Sequence, residues 1–177
     1  MILVKEVILI KKYIAFAMIF ITCFLLSCTN NVVKEVRDRF PQHEINRLSE
    51  YENEVIEGIY LVANKDQQEV VQIVNQKGFV EEIKLLISIN DATNSIKEIE
   101  ILKHNESHDY GALLTEAWFL NRFKNKQVDK MLEIVKMTAT KDDEIVAITG
   151  ATKTSQAVVD GVNRAMKNYR KIRGIVQ

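Results

Sequence analysis

Between Ile59 and Leu102 the chain repeats one pattern: a short run rich in Val, Ile and Leu, closed off by a cluster of turn-forming residues. The runs are Ile59–Ala63, Glu69–Val74, Val80–Ile89 and Ile96–Leu102, and the separators are Asn64-Lys65-Asp66, Asn75–Gly78 and Asn90–Asn94. Strand-length apolar runs separated by such turns read as an antiparallel sheet of about four or five strands. No internal repeat accompanies them. Upstream, residues 31–39 form a polar, charged connector into Phe40-Pro41, where the proline restricts its predecessor and interrupts any helix. From His43 to Glu57 the spacing of Ile45, Leu48, Tyr51 and Val55 predicts an amphipathic helix with a structural role. A further helix is expected from Ala112 to about Phe123, with Leu113, Ala117, Leu120 or Trp118, and Phe123 apolar; Trp118 is assigned to the core, where a large aromatic contributes most. The fold class is therefore α+β, a twisted antiparallel sheet packed with helices.

The chemistry concentrates at Val146-Ala147-Ile148-Thr149-Gly150-Ala151-Thr152-Lys153-Thr154-Ser155. A short apolar run ends in Thr149-Gly150-Ala151, hydroxyl residues crowd the next positions, and an amphipathic helix follows with Val158, Val162, Ala165 and Tyr169 on one face. Gln156, Arg164, Lys167 and Arg170 fall largely off that face. Ser155 or Thr154 is expected to cap the first turn, and Gly150 to adopt a backbone shape closed to other residues. Small residues, hydroxyls and free helix-start amides suit a phosphate. The glycine spacing and terminal Lys-Ser/Thr of a nucleotide-binding P-loop are absent. On composition alone, an ordinary capped helix and an anion site both remain open.

Other features narrow the function classes. His104 and His108 flank Glu106, yet the segment is not His-Glu-x-x-His, and a turn does not hold such positions on one helical face, so no metal is assigned. No Ser/His/Asp arrangement can be assigned, which sets a hydrolase aside. The 24 basic and 24 acidic residues are interspersed, without a cationic stripe carrying aromatics, so nucleic acid is not an expected partner. The basic run Lys167–Arg173 reads as a solvated helix end favoured by the helix dipole, or as a contact for anionic lipid.

The amino terminus reads as an export segment: Lys5, Lys11 and Lys12 precede the apolar run Tyr13–Leu26. Leu25-Leu26-Ser27-Cys28 resembles a bacterial lipobox, which implies lipidation of Cys28; an uncleaved anchor is the alternative. Either reading places the domain outward of the cell membrane. Cys23 and Cys28 are the only cysteines, so the folded part has no disulfide, iron–sulfur cluster or Cys-ligated zinc. The expected organisation is a signal or anchor over residues 1–27, a lipid-anchored connector and helix over 28–54, and one domain over 55–177.

Thr149-Gly150-Ala151-Thr152-Lys153-Thr154-Ser155 resembles the flavinylation motif of the FMN-binding domain family, in which the last Thr of (Ser/Thr)-Gly-Ala-Thr carries FMN through a phosphoester. Val146 stands where the family usually has Asp. A second resemblance lies at His104-Asn105-Glu106-Ser107-His108-Asp109-Tyr110-Gly111, similar to the family's Glu-Thr-Pro-Gly-(Leu/Tyr)-Gly loop, with His108 and Asp109 replacing Pro-Gly. The run from Trp118 to Lys126 is similar to the family's continuation, and the likeness spans roughly residues 55–170. It implies FMN linked covalently to Thr152, with Thr149, Gly150, Ala151, Thr154 and Ser155 around the phosphate and Glu106, Ser107 and Tyr110 as further contacts. It implies a flavin transferase and membrane-embedded electron-transport subunits as partners, and the lipobox-like segment adds membrane lipid. The role implied is a redox carrier rather than an independent enzyme, as the G-type subunit of an Rnf-like ion-translocating complex. A stand-alone flavin lipoprotein and a surface lipoprotein without flavin are the alternatives.

Overall fold

A computed structural model describes residues 32–175. The leader, its lipobox-like sequence and Cys28 lie outside the described residues. The chain divides into two compact units, Met1–Pro41 and Gln42–Gln177. In the first, residues 32–39, within the polar, charged connector, form a helix, α1. Val32 and Val36, one helical turn apart, are buried, and Pro41 stops the helix just after Phe40 N–H bonds Val36 O at 3.0 Å.

The second unit is built on five strands in sequence order: β1 Glu44–Arg47, β2 Ile56–Ala63, β3 Gln68–Lys77, β4 Glu82–Asn90 and β5 Ser95–Lys103. Every neighbouring pair is antiparallel. The four runs read from the sequence are β2 to β5, each longer than expected by a residue or more at one or both ends, except that β4 starts later, at Glu82.

The helix expected over 43–57 is absent. Ile45 instead pairs with Val62 in the sheet, and a 3-10 turn at Ser49–Tyr51 leads into β2. Local side chains decide this. Arg47 forks onto the Glu52 carboxylate at 2.7 and 2.9 Å, while Asn53 Oδ1 accepts from Val55 N at 3.0 Å and Ile56 N at 3.1 Å. Side-chain bonds of this kind offer the backbone an alternative to the helix.

The helix expected over 112–123 is three pieces: a 3-10 turn Gly111–Thr115, a single α-turn α2 at Ala117–Leu120, and a 3-10 turn Asn121–Phe123. Glu116, extended at φ −69 and ψ 133, breaks the run. The break also reassigns Trp118. It is 46% exposed, and Phe119 and Phe123 enter the core instead, edge to face at 5.5 Å between ring centres.

Two short parallel strands, β6 Glu133–Val135 and β7 Glu144–Val146, then deliver the chain to the long helix α3, Thr152–Ile172. The predicted face holds: Val158, Val162, Ala165 and Tyr169 are fully buried. Contact with the sheet is close because Gly161 has no side chain; a Cβ there would lie 2.4 Å from Leu85 Cδ1. Gln72 of β3 fixes the crossing by donating to Ala165 O at 2.8 Å and accepting from Asn168 at 3.0 Å. Arg170 departs from its expected place off the packed face. It is buried, with its guanidinium donating to Val128 O, which satisfies a charge that burial would otherwise penalise.

Candidate functional site

The corner between β7 and α3 is made by a few backbone decisions. Ala147 N donates to Val135 O at 2.8 Å, which fixes the end of the parallel ladder, and Ala151 N closes a turn onto Ile148 O at 3.0 Å. Gly150 sits between them at φ +83, a region that glycine enters freely and that Cβ disfavours elsewhere. The Tyr110 ring lies against it: a Cβ on Gly150 would be 2.8 Å from Tyr110 Cγ.

Neither Ser155 nor Thr154 caps the helix, and no side chain does. Ser155 Oγ spans the corner, accepting from Ile148 N at 2.9 Å and donating to Ala151 O at 2.9 Å. Thr154 Oγ1 donates to the Glu106 carboxylate. The first intrahelical bond runs from Ser155 N to Ala151 O, so the amides of Thr152, Lys153 and Thr154 stand free of helical partners at the start of a 21-residue helix. Free amides and the positive end of the helix dipole give this position the chemistry that suits an anion.

The second motif packs directly behind it. Glu106 is buried, 5% exposed, and its other oxygen accepts from Val80 N at 2.9 Å. One carboxylate thereby joins the β3–β4 turn, the loop after β5 and the first turn of α3. Ser107 Oγ accepts from Gly111 N at 3.1 Å, and Gly111 leaves no room for a Cβ, which would meet Ser107 Oγ at 2.8 Å. His104 Nδ1 accepts from Glu106 N at 3.3 Å and shapes the approach to the loop. His108 and Asp109 are exposed at its outer edge.

These segments enclose an open cleft of about 340 Å³ lined by Phe79, Ser107, Gly150, Ala151, Thr152, Lys153 and Thr154. Thr152, the first residue of α3, is half-buried in it. Of the residues singled out from the sequence, Ser107, Gly150, Ala151, Thr152 and Thr154 line the cleft; Glu106 and Ser155 brace it from within; Tyr110 stacks on Gly150; and Thr149 is exposed on the approach. Sequence reasoning missed Phe79, an aromatic 59% exposed at the tip of the β3–β4 turn. It also missed the bracing role of Arg122. The Arg122 guanidinium lies over the Trp118 ring at 4.8 Å and donates to Val146 O, pinning the end of β7, and burial pulls its basicity below the ordinary guanidinium value.

The site's chemistry fits a phosphate-bearing ligand. Its donors are amides and hydroxyls, its entrance carries exposed aromatic surface, and Gly150 keeps the backbone accessible beside Thr152. Among the described residues no three His, Cys, Asp or Glu side chains converge on a metal-sized site.

The FMN-binding domain model matches residues 78–167, which include both motifs and the turn bearing Phe79. The chain belongs to the FMN-binding domain family. It is 30% identical over 117 residues to the G subunit of the proton-translocating ferredoxin:NAD(+) oxidoreductase complex of Clostridium ljungdahlii, covering 65% of this chain and 62% of that protein. It is 36% identical over 96 residues to the G subunit of the Na(+)-translocating ferredoxin:NAD(+) oxidoreductase complex of Acetobacterium woodii, covering 54% of this chain and 45% of that one. The chain thus spans less than two thirds of the length of these curated relatives. Among solved structures, the C subunit of the Na(+)-translocating NADH-quinone reductase of Parabacteroides distasonis superposes with a TM-score of 0.57 at 21% identity, over 64% of this chain and 61% of that one. Shewanella oneidensis NqrC gives 0.53 at 22% identity, over 62% and 54%. These two share the fold.

Proposed function

We propose that this protein is an electron-transfer flavoprotein that carries FMN covalently on Thr152. The observation that carries the reading is the position of the Thr152 hydroxyl, at the first residue of α3, in a cleft of hydroxyls and free amides. The amides of Lys153 and Thr154 and the hydroxyl of Ser107 are placed to hold the phosphate, Gly150 and Ala151 leave a modifying enzyme room to reach the hydroxyl, and Glu106 and Ser155 keep the corner rigid. The flavin, when bound, supplies one- and two-electron chemistry, and the protein supplies position, electrostatics and exposure. A flavin transferase would supply the FMN moiety of FAD: the Thr152 oxygen bonds the FMN phosphorus as the FAD pyrophosphate bond breaks, and AMP and the hydroxyl proton leave. A covalent tether suits a carrier outward of a membrane, because it keeps the cofactor at high effective concentration beside its partner.

Within that class the relatives favour a G-type subunit of an Rnf-like ion-translocating complex, working with membrane-embedded electron-transport subunits. The lipobox-like Leu25–Cys28 favours a lipid anchor on Cys28 and, with it, a stand-alone carrier. Val146 in the place of the family's Asp favours a third reading, a surface lipoprotein that keeps the fold without flavin. Co-expression with a flavin transferase separates the flavin readings from the third. The wild-type chain is expected to run as a fluorescent band on a denaturing gel and Thr152→Ala as a dark one. A dark wild-type band beside a fluorescent band from a known flavinylated control contradicts the proposal.

A further inference from the structure

Among the residues that line the cleft, Lys153 alone carries a formal charge. It forms no ion pair among the described residues. Its ammonium instead rests over the Phe79 ring, 5.2 Å from the ring centre, a cation–π contact that holds a flexible side chain in place without neutralising it.

Phe79 is itself a fixed support. Gly78 N donates to Glu81 O at 2.7 Å across the turn, and Val80 N donates to Glu106 at 2.9 Å. Gly78 can be nothing larger, since a Cβ there would lie 2.4 Å from Glu106 Oε1 and 2.5 Å from Glu81 O. The exposed aromatic is thus held in position by the same carboxylate that anchors the first turn of α3. That carboxylate is turned inward and engaged on both oxygens, so the cleft itself presents a positive face.

We propose that Lys153, seated on Phe79, is the electrostatic tuning residue of the flavin seat, raising the midpoint potential by favouring the reduced ring. The inference rests on the assignment of FMN to Thr152. The charge balance gives it direction. Uptake of two electrons and one proton takes the neutral oxidised ring to a monoanion, and the phosphodiester at Thr152 already contributes one negative charge. A nearby ammonium lowers the free energy of the form with more negative charge. Lys153 is exposed, so water and salt reduce but do not remove the effect.

The test uses the full chain, flavin-loaded by co-expression and verified by intact mass, in a mediator-linked spectroelectrochemical titration at neutral pH and low salt. At the wild-type midpoint, Lys153→Gln is expected to lower the ratio of reduced to oxidised flavin about fivefold, a shift of about 20 mV for a two-electron couple. Lys153→Arg is expected to stay close to wild type. Phe79→Leu, which removes the ring face but keeps an apolar side chain, is expected to fall between them. The difference between wild type and Lys153→Gln should shrink as salt rises. Equal midpoints in loaded wild type and loaded Lys153→Gln overturn the tuning role and leave flavin attachment standing. A wild-type chain that takes up no flavin beside a loaded control overturns both.

Discussion

Glu106 is the residue on which the site most depends, because its two oxygens hold the β3–β4 turn and the first turn of α3 against the loop that bears it. Hydrogen bonds to a buried carboxylate are among the stronger ones, about 1.5–3 kcal/mol each. Glu106→Ala is therefore expected to lower the free energy of unfolding by about 2–3 kcal/mol in denaturant titration. It should also release the β3–β4 turn, read as faster amide exchange at Val80. Unchanged exchange there would show that the turn stands without the carboxylate. A second residue-scale prediction concerns the far end of α3. Burial first, and then the hydrogen bond to Asp91, push the Tyr169 phenol up to about 12 from its ordinary 10.0. Its hydroxyl donates within 2.9 Å of Asp91 Oδ1 and 2.8 Å of Asn94 Oδ1. Because the folded state keeps this proton longer than the unfolded chain, the stabilisation is fully present below about pH 10 and is lost as pH rises toward about 12. The stability difference between wild type and Tyr169→Phe should narrow across that window, and a constant difference would contradict the assignment. Glu106 and Ser107 were legible as a motif, but the Thr154 partner was not, since the contact joins positions 48 apart. Phe79 was invisible for another reason. Beside Gly78 it reads as the edge of a turn, and only the cleft gives its exposure a meaning.

At the scale of elements, periodicity succeeded where one interaction dominated and failed where several competed. The 3.6-residue spacing of Val158, Val162, Ala165 and Tyr169 marks α3 because one face packs on one sheet. Strands β2 to β5 were legible from their composition and turns. Residues 43–57 carried a helical spacing too, but the Asn53 side chain captures two amides and Arg47 captures Glu52, so the segment enters the sheet edge. The stretch after Gly111 shows the same competition: an extended Glu116 rotates the next turn of chain, bringing Phe119 inward and leaving Trp118 under the Arg122 guanidinium. That rotation makes a paired prediction. Phe119→Ala should cost about 3–5 kcal/mol of stability, as expected for a fully buried aromatic, while Trp118→Ala should cost about 1 kcal/mol or less. Equal losses in chemical denaturation would restore the continuous helix with Trp118 in the core.

At the scale of the whole molecule, the sheet and α3 serve to bring two loops together. The parallel pair β6–β7 aims the chain at the cleft, Gly150 turns it, and the antiparallel sheet presents the Glu106 loop and the Phe79 turn to the same place. Family and fold were legible from two motifs in the right order, whereas the meeting of those motifs needed the tertiary structure. The described residues contain no helix long and apolar enough to cross a membrane, and the leader that bears on anchoring lies outside them. Whether the hydroxyl at the start of α3 carries the cofactor is read by peptide-resolved mass spectrometry of the protein from its own host membranes. An FMN-sized mass increment is expected, confined to the peptide containing Thr152 and lost in Thr152→Ala. An unmodified Thr152 peptide, in cells that flavinylate other proteins, would contradict it and leave a family member that has kept the fold without the cofactor.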